Sequence, residues 1–538
     1  MKFDDLLRQL NGLGKFQFRL ILLVVIPRAT LPFHFLLNNF TGFIPSHHCN
    51  ISGLDDGGVF GNLSDEQRLT ISVPVQDDGT PSSCLMFTEP QYHLLMNSSN
   101  TTGLPVVCQN GWVFDTSVVK STVATEWNLV CERRRLNRAT TTIFFGGVML
   151  GAAVLGTLSD RLGRKPALLV SYVTTVVFGL ASALSSNFPM FAVMRFFTGF
   201  GSSGLIMITM VLCLEWTDHR HRWTVAIFLG LDWCLNTMTF AAVAYFVTEW
   251  RYLTAVGNIP VLLAIISWWW LPESARWLLS HGKVNRTYFY LRKCAQVNCR
   301  EQFLDHLNPE TLSKVIVVEN ENKKYSALDL VRTPRMRRTA MLTGIAWFGM
   351  SCCYYGISFN VSGFGVNMYL TQFIHGAIEL PAKFLVFFTL NKVGRRLSQG
   401  GAIFVSGLCL LLTLFIPLDK GAYVTAVAAL GKMFAQAAFT VAFLYVTELY
   451  PTVMRQNGMG LCNFMARLGA GLSPLIYFLE DVWVGLPNVV FCVSALTAGL
   501  STCLLKETAN THLPETIEDV EQSRTWQTET ANRDKLTG

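Results

Sequence analysis

The chain has 538 residues, of which 51% are hydrophobic and 15% are charged, and its mean hydropathy is +0.35. A soluble protein of this size carries about a quarter charged residues, so the composition excludes a soluble globular protein and indicates a polytopic membrane protein. The formal net charge of +7 does not predict nucleic-acid binding, because no basic arm with interleaved aromatic residues is present and Lys and Arg crowd short loops between apolar runs.

The first part of the chain predicts six membrane-spanning helices with one large loop. A polar N-terminus over 1–16 precedes a six-helix half over 17–271, in which the polar loop 44–137 separates the first two spans. This loop is acidic and contains four cysteines and four N-glycosylation sequons, which predicts an extracellular loop with two disulfides of open connectivity. The cysteines are Cys49, Cys84, Cys108 and Cys131, and the sequon residues are Asn50, Asn62, Asn97 and Asn100.

The second part repeats this plan. A basic segment over 272–338 is predicted to be a cytoplasmic linker, and a second six-helix half covers 339–506 before a polar tail over 507–538. Twelve spans place both termini in the cytoplasm and put the basic turns on the same side, as the positive-inside rule requires.

Three charged landmarks recur in the same order in the two halves. Gly163-Arg164 recurs as Gly394-Arg395 at an offset of 231. The pair Glu215 and Arg222 recurs as Glu448 and Arg455 at an offset of 233, and Glu273 recurs as Glu507 at an offset of 234. We therefore predict two homologous halves with a transport site between them.

The segment Gly156-Thr-Leu-Ser-Asp-Arg-Leu-Gly-Arg-Lys165 resembles the signature turn of the major facilitator superfamily. The resemblance implies an all-α membrane protein with the major facilitator fold, in which twelve transmembrane helices form two pseudo-symmetric six-helix halves. The alternative is an ordinary positive-inside loop. In the family this turn belongs to a cytoplasmic gate, which here would comprise Asp160, Arg161, Arg164, Lys165, Glu215, Arg222, Arg395, Glu448 and Arg455.

Further segments resemble the organic ion transporters of solute carrier family 22. They are Trp127-Asn-Leu-Val-Cys131, Pro272-Glu-Ser-Ala-Arg-Trp277, Glu448-Leu-Tyr-Pro-Thr452 and Leu513-Pro-Glu-Thr516. The opening Phe3-Asp-Asp-Leu-Leu and the run Tyr354-Tyr-Gly-Ile-Ser resemble its organic anion branch. Pro27-Arg28 and Glu379-Leu-Pro-Ala-Lys383 are similar to a liver-type member of that branch.

Two basic residues lie well inside predicted spans. A cation at mid-bilayer costs about 2.5–3.5 kcal/mol on insertion scales, so Lys383 and Arg467 need either a partner or a ligand. Glu379 lies four residues before Lys383 and offers a structural ion pair as the alternative, although Pro381 distorts that turn. No acid lies within a helical turn or two of Arg467. The resemblance implies that both cations favour anionic substrates, and that cation-transporting members carry Asp at the position of Arg467.

Aromatic residues are expected to surround these cations. Rings offer broad packing for varied organic ions, although most aromatic residues in such a chain are ordinary core or lipid-facing residues. The predicted substrate-binding aromatics are Trp233, Trp347, Tyr354, Tyr355, Phe439 and Tyr445, and His34 and Asn39 are expected to line the outer cavity. Asp232 departs from the expected pattern. It could neutralise a basic residue, admit a cation or zwitterion, or couple protons.

Together these features predict a secondary active or facilitative carrier of small organic anions that works by alternating access. A carrier of organic cations or zwitterions is the alternative, and a receptor on a transporter scaffold is a second class. No Walker or HExxH motif, no DxxG-type nucleotide set and no paired intramembrane acids are present, so an enzyme, a metal and a cofactor are not expected. The expected partners are the organic anion, a counter-transported anion and the lipid bilayer, for a monomer in the plasma membrane, with the basolateral side as one option.

Overall fold

The computed structural model describes residues 3–55, 58–76, 79–96, 103–218, 220–300, 329–360, 367–417, 420–451, 454–509, 517–518 and 520–521. Two of the predicted glycosylation positions, Asn97 and Asn100, and most of the tail 507–538 fall outside these ranges.

The first part of the chain is mainly helical. The N-terminal segment forms α1 (Phe3–Gln9), α2 (Lys15–Arg28), α3 (Thr30–Phe35) and α4 (Asn38–Thr41), and the large loop adds α5 (Asp65–Ser72) and α6 (Val123–Glu126). Four further spans are α7 (Arg134–Leu162), α8 (Arg164–Ala183), α9 (Phe188–Glu215) and α10 (Arg222–Phe246). The short helices α11 (Trp250–Val256) and α12 (Ile259–Ser267) together form one more span.

The linker and the second half follow. The linker contains α13 (Ala275–Ser280), α14 (Val284–Val297) and α15 (Asp329–Arg332). The second half contains α16 (Pro334–Phe359), α17 (Met368–Ala377), α18 (Glu379–Val393), α19 (Arg395–Thr413), α20 (Gly421–Leu449), α21 (Arg455–Ile476) and α22 (Leu486–Cys503).

Eleven helical segments of the described chain are long and apolar enough to cross a membrane. The twelfth predicted span is α21, a 22-residue helix that packs against α7 and α16 but is too polar to meet the same measure. Its polar residues include Asn463 and Arg467, so the least apolar span is the one that brings a cation between the halves.

The large loop is a small disulfide-linked unit. Strand β1 (His47–Cys49) pairs antiparallel with β4 (Trp112–Phe114), and β2 (Leu85–Phe87) pairs with β3 (Pro105–Val107). The four predicted cysteines form two disulfides, Cys49–Cys108 and Cys84–Cys131. We call the end of the helices that this unit covers the loop face, and the opposite end, with the charged turns, the turn face.

Glycines allow close helix packing in the first half. A Cβ atom at Gly199 would lie 2.2 Å from the Phe144 carbonyl oxygen, and one at Gly147 would lie 1.9 Å from the Phe196 carbonyl oxygen. The pattern Gly199-Phe-Gly-Ser-Ser-Gly204 therefore packs α9 against α7 and α8, as small residues do between membrane helices.

The N-terminal helix α1 is packed into the core of the first half, although the sequence predicted a polar N-terminus over 1–16. Phe3, Leu6 and Leu7 of α1 are buried in the same core as Leu291 of α14. Asn298, directly after α14, donates to the Leu10 carbonyl at 2.8 Å and accepts from the Phe16 amide at 2.9 Å. The N-terminus and the first part of the linker thus pack onto the first half.

Candidate functional site at the interface of the two halves

The first charged turn is held by a cluster of carboxylates. Gly163 has φ +108° and ends α7, so α8 begins in a new direction at Arg164. The Arg164 guanidinium donates to both oxygens of Glu215, at 2.8 and 3.1 Å, and to Asp160 at 2.6 Å. Glu273 accepts the backbone N–H groups of Arg164 and Lys165 and thereby caps α8.

The second turn repeats the contacts with two glutamates. Gly394 has φ +87°, and Arg395 donates to both oxygens of Glu448 at 3.1 and 3.3 Å. Glu507 accepts the backbone N–H groups of Arg395 and Arg396 at 2.9 and 3.0 Å. Asn391 stands where the first half has Asp160.

The other predicted gate residues differ in their surroundings. Arg222 and Arg455, which are equivalent in the repeat, are electrostatic neighbours across the two halves. Arg161 is exposed. The turn face therefore contains salt bridges within each half and two like charges between the halves.

The pKa values of the two capping carboxylates are shifted in opposite directions. Burial raises the pKa of Glu273, and the N–H groups of Ser274, Lys165 and Arg164 offset only part of that shift. Burial also opposes ionisation of Glu507, but four backbone N–H donors, from Arg395, Ala509, Arg396 and Thr508, lower its pKa overall. The first cap is thus the more buried of the two, and the second is the more completely hydrogen-bonded.

A continuous series of aromatic rings joins the halves at their centre. In the first half, Phe35 lies 5.4 Å from Phe145 and 6.0 Å from Trp233, measured between ring centroids. Phe145 lies 5.2 Å from Tyr355 of the second half. The series continues through Tyr354–Tyr355 at 5.1 Å, Tyr354–Phe439 at 5.7 Å and Trp347–Phe439 at 6.0 Å. Five of the six predicted aromatics therefore belong to one series.

Arg467 lies against this series. Its guanidinium carbon is 5.6 Å from the centre of the Phe35 ring, and it interacts electrostatically with Tyr355. Among the described residues no carboxylate forms a salt bridge with Arg467, which is only partly buried. Its charge is therefore available to a ligand that carries an anionic group.

Lys383 is the second cation at the interface. Its Nζ lies 2.8 Å from the position that a Cβ atom at Gly230 would occupy, so Lys383 reaches from α18 to α10 of the other half. Within the described chain its ammonium makes no salt bridge. The alternative pairing with Glu379 is wrong, because the Glu379 carboxylate is used by other groups.

Glu379 instead forms a buried ion pair with Lys432. Their charged atoms lie 3.2 Å apart, and the side chains are 0% and 1% exposed. The Tyr354 hydroxyl donates to Glu379 at 2.6 Å, and the Cys234 thiol approaches from the first half at 3.7 Å. Sequence reasoning missed Lys432, although a lysine in the apolar run 428–438 was a signal.

Asp232 is neutralised within the first half. Arg28 donates to Asp232 at 3.0 Å, and both side chains are buried. Asn236 also donates to this carboxylate at 2.5 Å, and Arg28 makes further bonds to the Thr209 hydroxyl and the Leu229 carbonyl. Of the three roles considered for Asp232, this geometry fits the neutralisation of a basic residue.

The remaining predicted residues have structural contacts. His34 is buried, and it accepts from Arg195 through its carbonyl at 2.8 Å, while Arg195 also lies 4.6 Å from the Phe144 ring. Asn39 bridges the halves on the loop face by donating to the Ser358 carbonyl at 2.8 Å and to the Gln372 side chain at 2.9 Å.

Tyr445 lies away from the aromatic series. Its hydroxyl donates to the Lys506 carbonyl at 2.5 Å, and its ring packs with Leu449 and Leu505 near the turn face. Conversely, Phe35, Phe144 and Phe145 were not predicted, because aromatic residues on an apolar helix carry no signal of which side faces the partner half.

The described central charges do not balance. Arg28 and Lys432 each have an acidic partner, whereas Lys383 and Arg467 have no carboxylate partner among the described residues. Arg195 also lacks a described carboxylate partner, but it donates to the His34 carbonyl and lies on the Phe144 ring. A group held here beside aromatic rings is therefore favoured if it carries negative charge and apolar surface.

Comparisons with known proteins identify the family. Residues 93–519 match the family described as sugar (and other) transporter. The chain is 42% identical over 535 residues to solute carrier family 22 member 7 of Bos taurus, and the match covers 97% of this chain and 96% of that protein. Member 6 of the same family from Bos taurus is 37% identical over 533 residues, with coverage of 98% and 96%.

A solved structure shows the same fold at low identity. The xylose transporter XylE from E. coli in its inward open conformation has a TM-score of 0.61 and 16% identity, covering 94% of this chain and 99% of that chain. Its partially occluded inward open form gives a TM-score of 0.59. The chain thus belongs to solute carrier family 22, within the sugar (and other) transporters of the major facilitator superfamily, and it is a membrane-embedded transporter of small molecules rather than an enzyme.

Proposed function

We propose that this chain carries small organic anions across the plasma membrane by alternating access. The observation that carries the proposal is the charge balance at the centre, where Arg467 and Lys383 have no carboxylate partner among the described residues and Asp232 is paired with Arg28. The 42% identity to solute carrier family 22 member 7 supports the same assignment.

The substrate carboxylate would bind Arg467 and Lys383 while its apolar part packs on the rings. Arg467 contributes a planar fork that can bond both carboxylate oxygens. Tyr354, Tyr355, Phe439, Trp347 and Trp233 supply apolar surface from both halves. The Glu379–Lys432 pair orients the Tyr354 hydroxyl, so its part is to position a residue of the site.

The orientation follows from the loop and the turns. We place the loop face outside the cell, because the disulfide-linked loop is acidic and carries the sequons of Asn50 and Asn62. The basic turns and both termini then lie in the cytoplasm. The halves would be 17–271 and 339–506, joined by the linker 272–338, in a monomer that exchanges one anion for another or conducts facilitated diffusion.

Transport would proceed by separation of the halves at alternating faces. On the loop face the halves are joined by Asn39, by the stacked rings of Phe40 and Tyr369, and by Arg138 with Glu480. On the turn face Arg222 and Arg455 place like charges near each other across the halves, with Glu448 also near Arg455. This combination supports a state that is closed to the outside, from which the loop-face contacts must break before uptake.

Uptake by cells that express the full chain tests the proposal. A labelled small aromatic carboxylate should enter cells with the wild type and not enter with Arg467→Asp at equal surface expression, a loss of about tenfold or more. Arg467→Lys serves as the matched control, because it keeps the charge and loses only the fork. Uptake of a labelled organic cation instead of the carboxylate would overturn the proposal and favour a cation or zwitterion carrier.

A further inference from the structure

A second group of arginines lies far from the central site, at the start of α7 on the loop face. Arg134, Arg135 and Arg138, here called the arginine cluster, follow the disulfide-bonded Cys131 within seven residues. Their neighbour Arg133 is exposed and takes no part in the salt bridges described for this region. No role in the central site falls to these three residues.

The arginine cluster contacts the other half through two acids. Arg138 donates to Glu480 and to the Tyr477 carbonyl, and Arg134 lies 3.6 Å from the same Glu480 carboxylate. Arg135 pairs with Asp481 at 3.1 Å. Three cations from the first half therefore share two carboxylates from the second half, and Glu132 of the first half is a third acid beside them.

These contacts surround a cavity. It measures about 280 Å³ and is lined by the arginine cluster with Asp481, Glu132, Cys131 and Phe478. The side chain of Arg135 is 70% exposed and that of Asp481 is 49% exposed. Exposed ion pairs of this kind contribute little net stability, so a competing anion can displace them. The volume is close to the lower end of that of small-molecule sites.

We propose that this cavity is an external binding site for the carboxylate of a small organic anion, occupied before the substrate reaches the centre. The guanidinium groups of Arg134 and Arg135 bind the carboxylate, and Phe478 contacts the apolar part. The proposal deepens the proposed function and rests on it, because the ligand is the same class of anion.

Binding at this site would also act on the contact between the halves. A carboxylate that takes the donors of Arg134 and Arg135 removes them from Glu480 and Asp481, and these pairs join the two halves on the loop face. The bound anion therefore favours the separation that uptake requires. A ligand can shift such an equilibrium only through different affinities for the two states, and here the difference is the replaced ion pairs.

Uptake kinetics of a labelled aromatic carboxylate in intact cells tests the site. Arg134→Ala/Arg135→Ala should raise the KM about fivefold with Vmax within about twofold of wild type. Arg133→Ala is the matched control and should leave both unchanged. Asp481→Asn should lower the KM, because it removes the acid that competes for Arg135. The KM of the wild type should rise with ionic strength, and the double variant should lose that dependence.

Two patterns would overturn the inference. A double variant that changes Vmax alone, or one whose KM keeps the wild-type ionic-strength dependence, would show that the cluster only joins the halves. Failure of the proposed function is recognised separately, since the wild type would then not take up the carboxylate, or Arg467→Asp would transport it normally. Loss of uptake in Arg467→Asp with no KM change in the double variant would reject the external site alone.

Discussion

The two halves treat their charged turns alike and their central charges differently. In each half an arginine after a left-handed glycine binds a glutamate of the following helix hairpin, and a second glutamate caps the helix that the arginine begins. At the centre the first half pairs Asp232 with Arg28, whereas the second half adds Lys383 and Arg467 without carboxylate partners among the described residues.

This difference distinguishes the charged turns, which stabilise the helix ends in both halves, from the proposed central site, whose residues differ between the halves. The turns must hold helix ends at the membrane surface in both halves, so both need the same chemistry. The proposed substrate has a charged end and an apolar body. The proposed site would match it, since Lys383 and Arg467 come from the second half, while Phe35, Phe145 and Trp233 supply rings from the first.

The largest effect is expected at the buried pair of the second half. Lys432→Ala leaves the Glu379 carboxylate buried without its cation, which should cost about 3–5 kcal/mol of unfolding free energy. Lys432→Met/Glu379→Gln should recover much of that loss, since both charges are gone. Thermal unfolding of the purified protein in detergent measures both. An unchanged Tm for Lys432→Ala would show that the pair is not formed.

A smaller loss is expected at the pair of the first half. Asp232→Asn removes the acidic partner of Arg28 but leaves the bonds of Arg28 to Thr209 and to the Leu229 carbonyl, so the cost should be about 2–3 kcal/mol. The KM for anion uptake should stay within about twofold of wild type. If Asp232→Asn is fully stable and loses transport, this acid takes part in the transport cycle.

The two turns should differ by a measurable margin. Arg164→Ala should destabilise the protein by about 0.5–1 kcal/mol more than Arg395→Ala, because Arg164 also donates to Asp160 and to Ser159. In the Asp160→Asn background the loss caused by Arg164→Ala should be smaller, and the exposed Arg161→Ala serves as the control. Equal losses for the two arginines would mean that Asp160 contributes nothing.

The smallest expected effect is the pH dependence of the two caps. Glu507 has a lowered pKa, so its stabilisation is present above the usual glutamate range and is lost as the pH falls through the lowered pKa. Glu273 has a raised pKa, so its ionisation reduces stability as the pH rises through that pKa.

Melting curves of Glu507→Gln and Glu273→Gln against pH test this opposition. Glu507→Gln should lose less than about 1 kcal/mol near neutral pH and approach the wild type in acid. Glu273→Gln should be closer to the wild type at neutral pH, because its amide still accepts from the backbone without carrying a buried charge. Parallel pH profiles for the two variants would contradict the opposite shifts.

Much of the fold could be predicted because its signals are local. The length of the apolar runs and the glycine before Arg164 and before Arg395 each act within a few residues. The four cysteines of the large loop predicted two disulfides from composition and position alone. The pairing Cys49–Cys108 and Cys84–Cys131 could not be predicted, since spacing alone leaves the connectivity open.

The site was harder to predict because its contacts join distant segments. The four-residue spacing offered Lys383 as the partner of Glu379, but in the folded chain the Glu379 carboxylate pairs with Lys432 from another helix. Arg28 and Asp232 meet in the same way from two helices. Tyr445 is an aromatic residue on a predicted span, as the predicted site residues are. The structure places it near Leu505, away from the aromatic series.

The polarity of α21 has a consequence for how the chain enters the membrane. This helix is more polar than the eleven segments that meet the measure for a membrane span, and Arg467 adds an insertion cost of about 2.5–3.5 kcal/mol at mid-bilayer. Its neighbours are α16 and, from the first half, α7. Stable insertion of α21 during synthesis should therefore depend on α7 already being in place. The first half would then help the helix that carries Arg467 to insert.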